Sequence, residues 1–203
     1  MKSLFIPVYS KQKLDDKIIK EVLEKLPENI AICYSIQFKK QAEELKEKLT
    51  NKKITNLVQI LGCSKPKFSK DTQVILLIGQ GKFHSVSLQY ETGINVYLLE
   101  NNKLIKVLEK DVQKMKQKEK ASYVKFLNAK KVGILVSTKP GQKKLERAIE
   151  LKKKLDKKSY VFISNNINVS EFENFKIDSW VNTACPRMDL DDVRIVNIDK
   201  LIK

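Results

Sequence analysis

Arginine, histidine and tryptophan are almost missing from this chain of 203 residues, which has one histidine, one tryptophan and, among forty basic residues, only Arg147, Arg187 and Arg194 as arginines. Proteins that read nucleic acids interleave arginine and aromatic side chains with their basic residues. Here lysines such as Lys39, Lys40, Lys46, Lys48, Lys152, Lys153 and Lys154 fall on solvent faces of predicted helices. The formal charge of +16 therefore reads as a lysine-biased proteome or an acidic protein partner, not a nucleic-acid groove. Cysteine is scarce as well, and its count of three is odd, which excludes a disulfide framework and leaves metal binding, catalysis or burial. No apolar run is long enough to cross a bilayer. The start, Met1 to Pro7, turns polar too quickly for a signal peptide, so a cytoplasmic protein is expected.

What is present is an alternation of strand and helix patterns. Leu4 to Val8 reads as a first strand. Leu14, Ile18, Ile19, Val22, Leu23 and Leu26 recur at helical spacing behind it, with Asp15 and Asp16 in the first turn. Ile30 to Tyr34, Asn56 to Leu61, Val74 to Ile78 and Ile94 to Leu99 read as further strands, with a helix marked by Phe38, Ala42, Leu45 and Leu49. Leu108 to Leu127 suits a long connecting helix. The pattern then restarts: strand at Val132 to Val136, helix at Leu145 to Leu155, strands at Tyr160 to Ile163 and Ile177 to Val181. The expected fold is α/β, two similar lobes at 1–105 and 106–203, each a small parallel sheet flanked by helices. Aligned on the intervals from Leu4 to Cys63 and from Val132 to Cys185, the repeat places the two cysteines at equivalent strand ends.

That placement carries the functional reading. Ligands of open α/β sheets bind at the carboxyl ends of strands. Cys185 lies there beside Pro186, which ends the strand, and Arg187, a fixed positive charge. A free cysteine is as often buried filler, and Cys33, within a strand and without a counterpart in the repeat, is assigned to the core. Zinc sites generally show closely spaced cysteine pairs, and none is present. Single thiols from separate lobes suit an iron–sulfur cluster better, although a third ligand is not evident. Gly79 and Gly81 bracket a turn leading to His84, where backbone can approach a ligand. Ser137 to Gln142, with Lys139 and Gln142, is the matching loop of the second half and leads into a helix start.

Taken together, Leu61-Gly62-Cys63, Gly79 to His84, Gly133 to Gln142 and Asp178 to Arg187 resemble the diphthamide-synthesis family, the 2-(3-amino-3-carboxypropyl)histidine synthases, over nearly the whole chain. The resemblance implies three similar α/β domains that each give one cysteine to a 4Fe–4S cluster. It implies cleavage of S-adenosylmethionine to a 3-amino-3-carboxypropyl radical that adds to a histidine of elongation factor 2. Cys63 and Cys185 fall on the cluster cysteines of the family's middle and last domains, and Gly79, Gly81, His84, Lys139, Gln142 and Arg187 on its loops around the cofactor. Gln80 stands where the family commonly has aspartate, and Ser85 where it commonly has proline. No counterpart of the family's first domain is found. The expectation is thus one subunit of a split synthase, partnered by a polypeptide carrying the first domain and the third cysteine, or by a homologous subunit. The alternative is a noncatalytic partner subunit without a complete cluster of its own.

Overall fold

The fold is taken from a computed structural model that describes residues 4, 6–61, 64–190 and 192–201. It divides into two compact units, 1–113 and 114–203.

In the first unit the parallel strands β1 (Asn29–Tyr34), β2 (Lys53–Gln59), β3 (Val74–Ile78) and β4 (Asn95–Glu100), with an antiparallel β5 (Lys103–Lys106), are ordered β2-β1-β3-β4-β5. Side chains alternate across the sheet. Ile30, Ile32, Tyr34, Leu76 and Ile78 pack against α1 (Asp16–Lys25) and α2 (Lys39–Lys48). Ala31, Cys33, Ile75, Leu77 and Leu98 face the other way, onto Leu88 of α3 (Lys82–Thr92) and Val112 of α4 (Glu109–Asn128). Strand β3 is apolar on both faces because both are covered. The start of α1 follows from chemistry legible in the sequence, since the Asp15 carboxylate accepts from the Lys17 N–H.

In the second unit the order is β7-β6-β8-β9, all parallel, from β6 (Lys131–Ser137), β7 (Lys158–Ser164), β8 (Ser179–Asn182) and β9 (Ile195–Asn197). One face packs on α5 (Leu145–Lys154) and on Phe126 of α4. The other is covered by a short 3-10 turn whose Phe172 stacks on Trp180 at 4.2 Å, with Ile177 and Met188 packed beside it. No helix among the described residues is long and apolar enough to cross a membrane.

The repeat is real, and its alignment differs from the one expected. Ile30 of β1 pairs with Val74, and Val132 of β6 with Ser179, so β1 corresponds to β6 and β3 to β8. The amino ends of the two sheets are closed by matching hydrogen bonds. Asn29 N–H donates to the Gln73 side chain as Lys131 N–H donates to Asp178 (3.0 and 2.8 Å). Lys52 Nζ donates to the carbonyl of Leu26 past α1, as Lys157 Nζ donates to those of Leu127 and Ala129 around the end of α4. The first strand of the unit is therefore β1. Leu4, Ile6, Pro7 and Val8 form no strand and lie exposed, and Pro7 has no N–H to give a ladder.

It follows that the two cysteines do not occupy equivalent places. Cys63 lies four positions past the end of β2, the edge strand, whereas Cys185 lies three past the end of β8, the counterpart of β3. Counting along the paired strands, Cys185 corresponds to Gln80, Asn182 to Leu77, and Cys33 to Leu135. Interval matching went astray by counting Leu4 to Val8 as a strand.

Candidate functional site

Two of the loops that leave the carboxyl edge of the first unit's sheet carry the expected site residues. Cys63 and Gly62 lie outside the described residues. Their neighbours Leu61 and Ser64 are tied to each other, Leu61 N–H donating to Ser64 Oγ at 2.7 Å and Ser64 N–H to the Leu61 carbonyl at 3.0 Å. From the end of β3, Gly79 and Gly81 lead into α3. Gly81 adopts φ 78°, a conformation open to glycine at little cost. Its N–H donates to the Glu100 carboxylate at 2.7 Å, so that amide is already engaged. His84 sits in the first turn of α3, its ring 5.3 Å from that of Phe83. His84, Leu61, Ser64, Lys65, Lys67 and Glu91 line one cavity of about 260 Å³. The fold thus brings His84 to the segment that carries Cys63, because β2 and β3 flank β1 and end at the same edge.

In the second unit the loop with Lys139 and Gln142 leaves β6, and that with Cys185 and Arg187 leaves its neighbour β8. Gln142 N–H donates to the Lys139 carbonyl in a turn at Gly141, and the chain enters α5 with Lys144 at an N-cap that has no side-chain hydrogen bond. Lys139 is exposed and Gln142 half-buried. Cys185 is half-buried, Arg187 exposed, and the turn between them is closed by Met188 N–H donating to the Cys185 carbonyl.

Asparagines that the sequence reading passed over shape this loop. Asn182 is 2% exposed. Its amide nitrogen donates to the Cys185 carbonyl and to Asn197 Oδ1, both at 2.7 Å, and its Oδ1 accepts from Ala184 N–H at 2.8 Å. Asn197 Nδ2 donates in turn to the Pro186 carbonyl at 3.0 Å. The available signal was a polar residue in a strand buried at every position.

Cys33 is of a different kind. It is fully buried between β2 and β3, and burial pushes its thiol up to about 12. A thiol so held is not poised to become the thiolate that binds metal. Among the described residues no three histidine, cysteine, aspartate or glutamate side chains gather as a metal site, and Cys63 lies outside them. In donor chemistry, the thiol of Cys185 in the loop after β8 is a soft donor of the kind that holds iron–sulfur clusters.

Comparison with known proteins agrees with this architecture over both units. The family model described as "Putative diphthamide synthesis protein" matches residues 1–195. The chain is 28% identical to the 2-(3-amino-3-carboxypropyl)histidine synthase of Pyrococcus horikoshii, with 94% of the chain and 60% of that protein covered. Against the synthase of Methanocaldococcus jannaschii it is 29% identical, with 95% and 57% covered. A human relative is named subunit 1 of the synthase, at 28% identity over 66% of the chain and 32% of that protein. The crystal structure of Dph2 from Pyrococcus horikoshii superposes with a TM-score of 0.79 at 25% identity, covering 93% of the chain and 61% of that one. A second crystal structure of that protein, with a 4Fe–4S cluster, gives 0.75. The chain thus spans about 60% of the length of the archaeal relatives it matches. With nearly all of its residues matched by the family model and both sheets shared with Dph2, the chain belongs to the diphthamide-synthesis family.

Proposed function

We propose that this chain is a subunit of a 2-(3-amino-3-carboxypropyl)histidine synthase that acts in the cytoplasm on a histidine of translation elongation factor 2. The observation that carries the reading is a family match running through both units, with a half-buried Cys185 at the carboxyl edge of β8 and His84 beside the Cys63 segment. Cys63 and Cys185 would hold the iron–sulfur cluster, with a third thiolate supplied by a lobe outside these 203 residues. The cluster, when bound, would supply the electron that opens a carbon–sulfur bond of S-adenosylmethionine. The chain's own residues bind and orient. Lys139 and Arg187 offer positive charge to the substrate carboxylate, Gln142 offers an amide, and Gly79, Gly81 and His84 border the edge where the first unit meets its ligand. Two thiolates are one short of the three that leave a single iron open to substrate, so catalysis needs the additional lobe to complete the site.

The test is an anaerobic assay with S-adenosylmethionine, a reductant and elongation factor 2, scored by mass spectrometry of the target histidine, with and without a polypeptide carrying the additional lobe. Modification is expected only with both. Modification by this chain alone overturns the division of the site between two polypeptides, and its absence from every combination overturns the catalytic reading.

A further inference from the structure

We infer that Asn182, braced by Asn197, is a positioning residue for Cys185: its buried amide fixes the backbone of the Ala184-Cys185-Pro186 turn and so sets where the sulfur stands. This inference rests on the reading of Cys185 as an iron ligand.

The argument starts from a cost. An amide at 2% exposure is unfavourable unless its donors and acceptor are all engaged. Asn182 engages them in one direction. One donor goes to the carbonyl of Cys185 itself, the acceptor takes the N–H of Ala184 just before it, and the other donor goes to Asn197. Asn197 then holds the carbonyl of Pro186, just after it. Three consecutive residues centred on the thiol are thus gripped by two side chains. The corresponding place in the first unit shows that the fold does not require this. There β3 carries Leu77, 2% exposed and packed in the core. The first unit's counterpart of Cys185 is Gln80, which is not a thiol. The amide is present in the lobe whose third strand delivers a cysteine.

The grip also bears on why Cys185 is half-buried rather than freely exposed. A sulfur on a loose turn would sample many positions, and each would have to be forgone on ligating iron. With the turn fixed beforehand, that loss is already met by the fold.

The test uses the full reduced chain without metal, held anaerobically, and follows iodoacetamide alkylation of each cysteine by peptide mass spectrometry. The variants are Asn182→Leu, which installs the residue of the first unit, and Asn197→Ala at the half-buried second member. In Asn182→Leu, Cys185 should alkylate roughly tenfold faster, because the side-chain hydrogen bonds that hold its turn closed are gone. Asn197→Ala should give a smaller acceleration of the same kind. Cys63 should keep its rate within about twofold, and Cys33 should stay protected, reporting an intact core. An unchanged Cys185 rate in both variants overturns the inference, and so does acceleration of all three cysteines together, which would mean general loosening. A second readout uses the assembled, reconstituted protein, in which Asn182→Leu should shift the electron paramagnetic resonance signature of the reduced cluster, and an unchanged signature counts against the brace. If Cys185→Ser leaves iron binding untouched, the ligand reading fails while the alkylation result still decides the brace.

Discussion

Replacing Gly133 by alanine should destabilise the second lobe selectively. Gly133 lies opposite Trp180 in the β6–β8 pairing, and an added Cβ would stand 2.3 and 2.4 Å from Cε3 and Cζ3 of the indole and 3.0 Å from Cδ2. Carbon atoms sit comfortably at about 3.5–4.0 Å, so the ring must retreat by roughly 1 Å. It has little room, because Trp180 is 1% exposed, with Phe172 stacked at 4.2 Å and Phe162 edge-on at 4.8 Å. Overpacking of this kind costs about 1–3 kcal/mol or more, and the rigid ring places it at the upper end. The alanine recovers about 0.4–1 kcal/mol by stiffening the unfolded chain, which leaves a net loss of about 2 kcal/mol. Trp180 is the only tryptophan, so its fluorescence reports this lobe alone. With a urea m-value of about 1 kcal/mol/M for so small a unit, the midpoint should fall by about 2 M. An unchanged midpoint would show that the sheet yields around the ring and that the close approach is not what requires glycine. In the first unit the same pair is Ala31 and Ile75, a larger residue facing a smaller one.

Three further outcomes are expected. Cys33→Ala should leave iron binding of the assembled enzyme intact at a stability loss of about 1 kcal/mol from the small void, while Cys63→Ser or Cys185→Ser should cripple iron binding, as titrated by optical spectroscopy. The Asp178 carboxylate is held below its ordinary range by hydrogen bonds from the backbone N–H groups of Lys131 and Lys130. Its contribution is therefore present above about pH 4, the unfolded carboxylate value, and is lost as pH falls through the lowered folded one; Asp178→Asn should flatten the acid limb of the stability profile, and an unchanged limb would contradict this. Lys157→Met should leave the carbonyls of Leu127 and Ala129 without their cationic donor and speed amide hydrogen exchange in the last turn of α4, with exchange in α1 as the internal control.

The parallel sheets were legible because β1, β3 and β6 are short apolar runs bounded by breaks, and α1 because its cap and stripe agree. Elsewhere local pattern gave little away. Helix α3 starts at Gly81 and carries serines, a valine and aromatics, so tertiary packing of Leu88 decides it. The β4–β5 hairpin turns at Asn101 and Asn102, both with positive φ. That asparagine pair was a usable turn signal. Strand β9 is three residues long and exists through its pairing with β8. Residue types at strand ends led to Cys185 and His84, and the structure has both on loops or first turns that follow strands β8 and β3. The grip of Asn182 and Asn197 depends on side chains fifteen residues apart meeting across two strands, which no one-dimensional pattern displays.

Matching amino ends and differing thiol positions divide the repeated lobe into a shared end and a variable one. Here the sulfur follows β2 in one copy and β8 in the other, while the hydrogen bonds that close the opposite ends of the sheets agree. The amino ends thus close both sheets by one shared device, and the carboxyl edge, where ligands of such sheets bind, is where the two lobes differ.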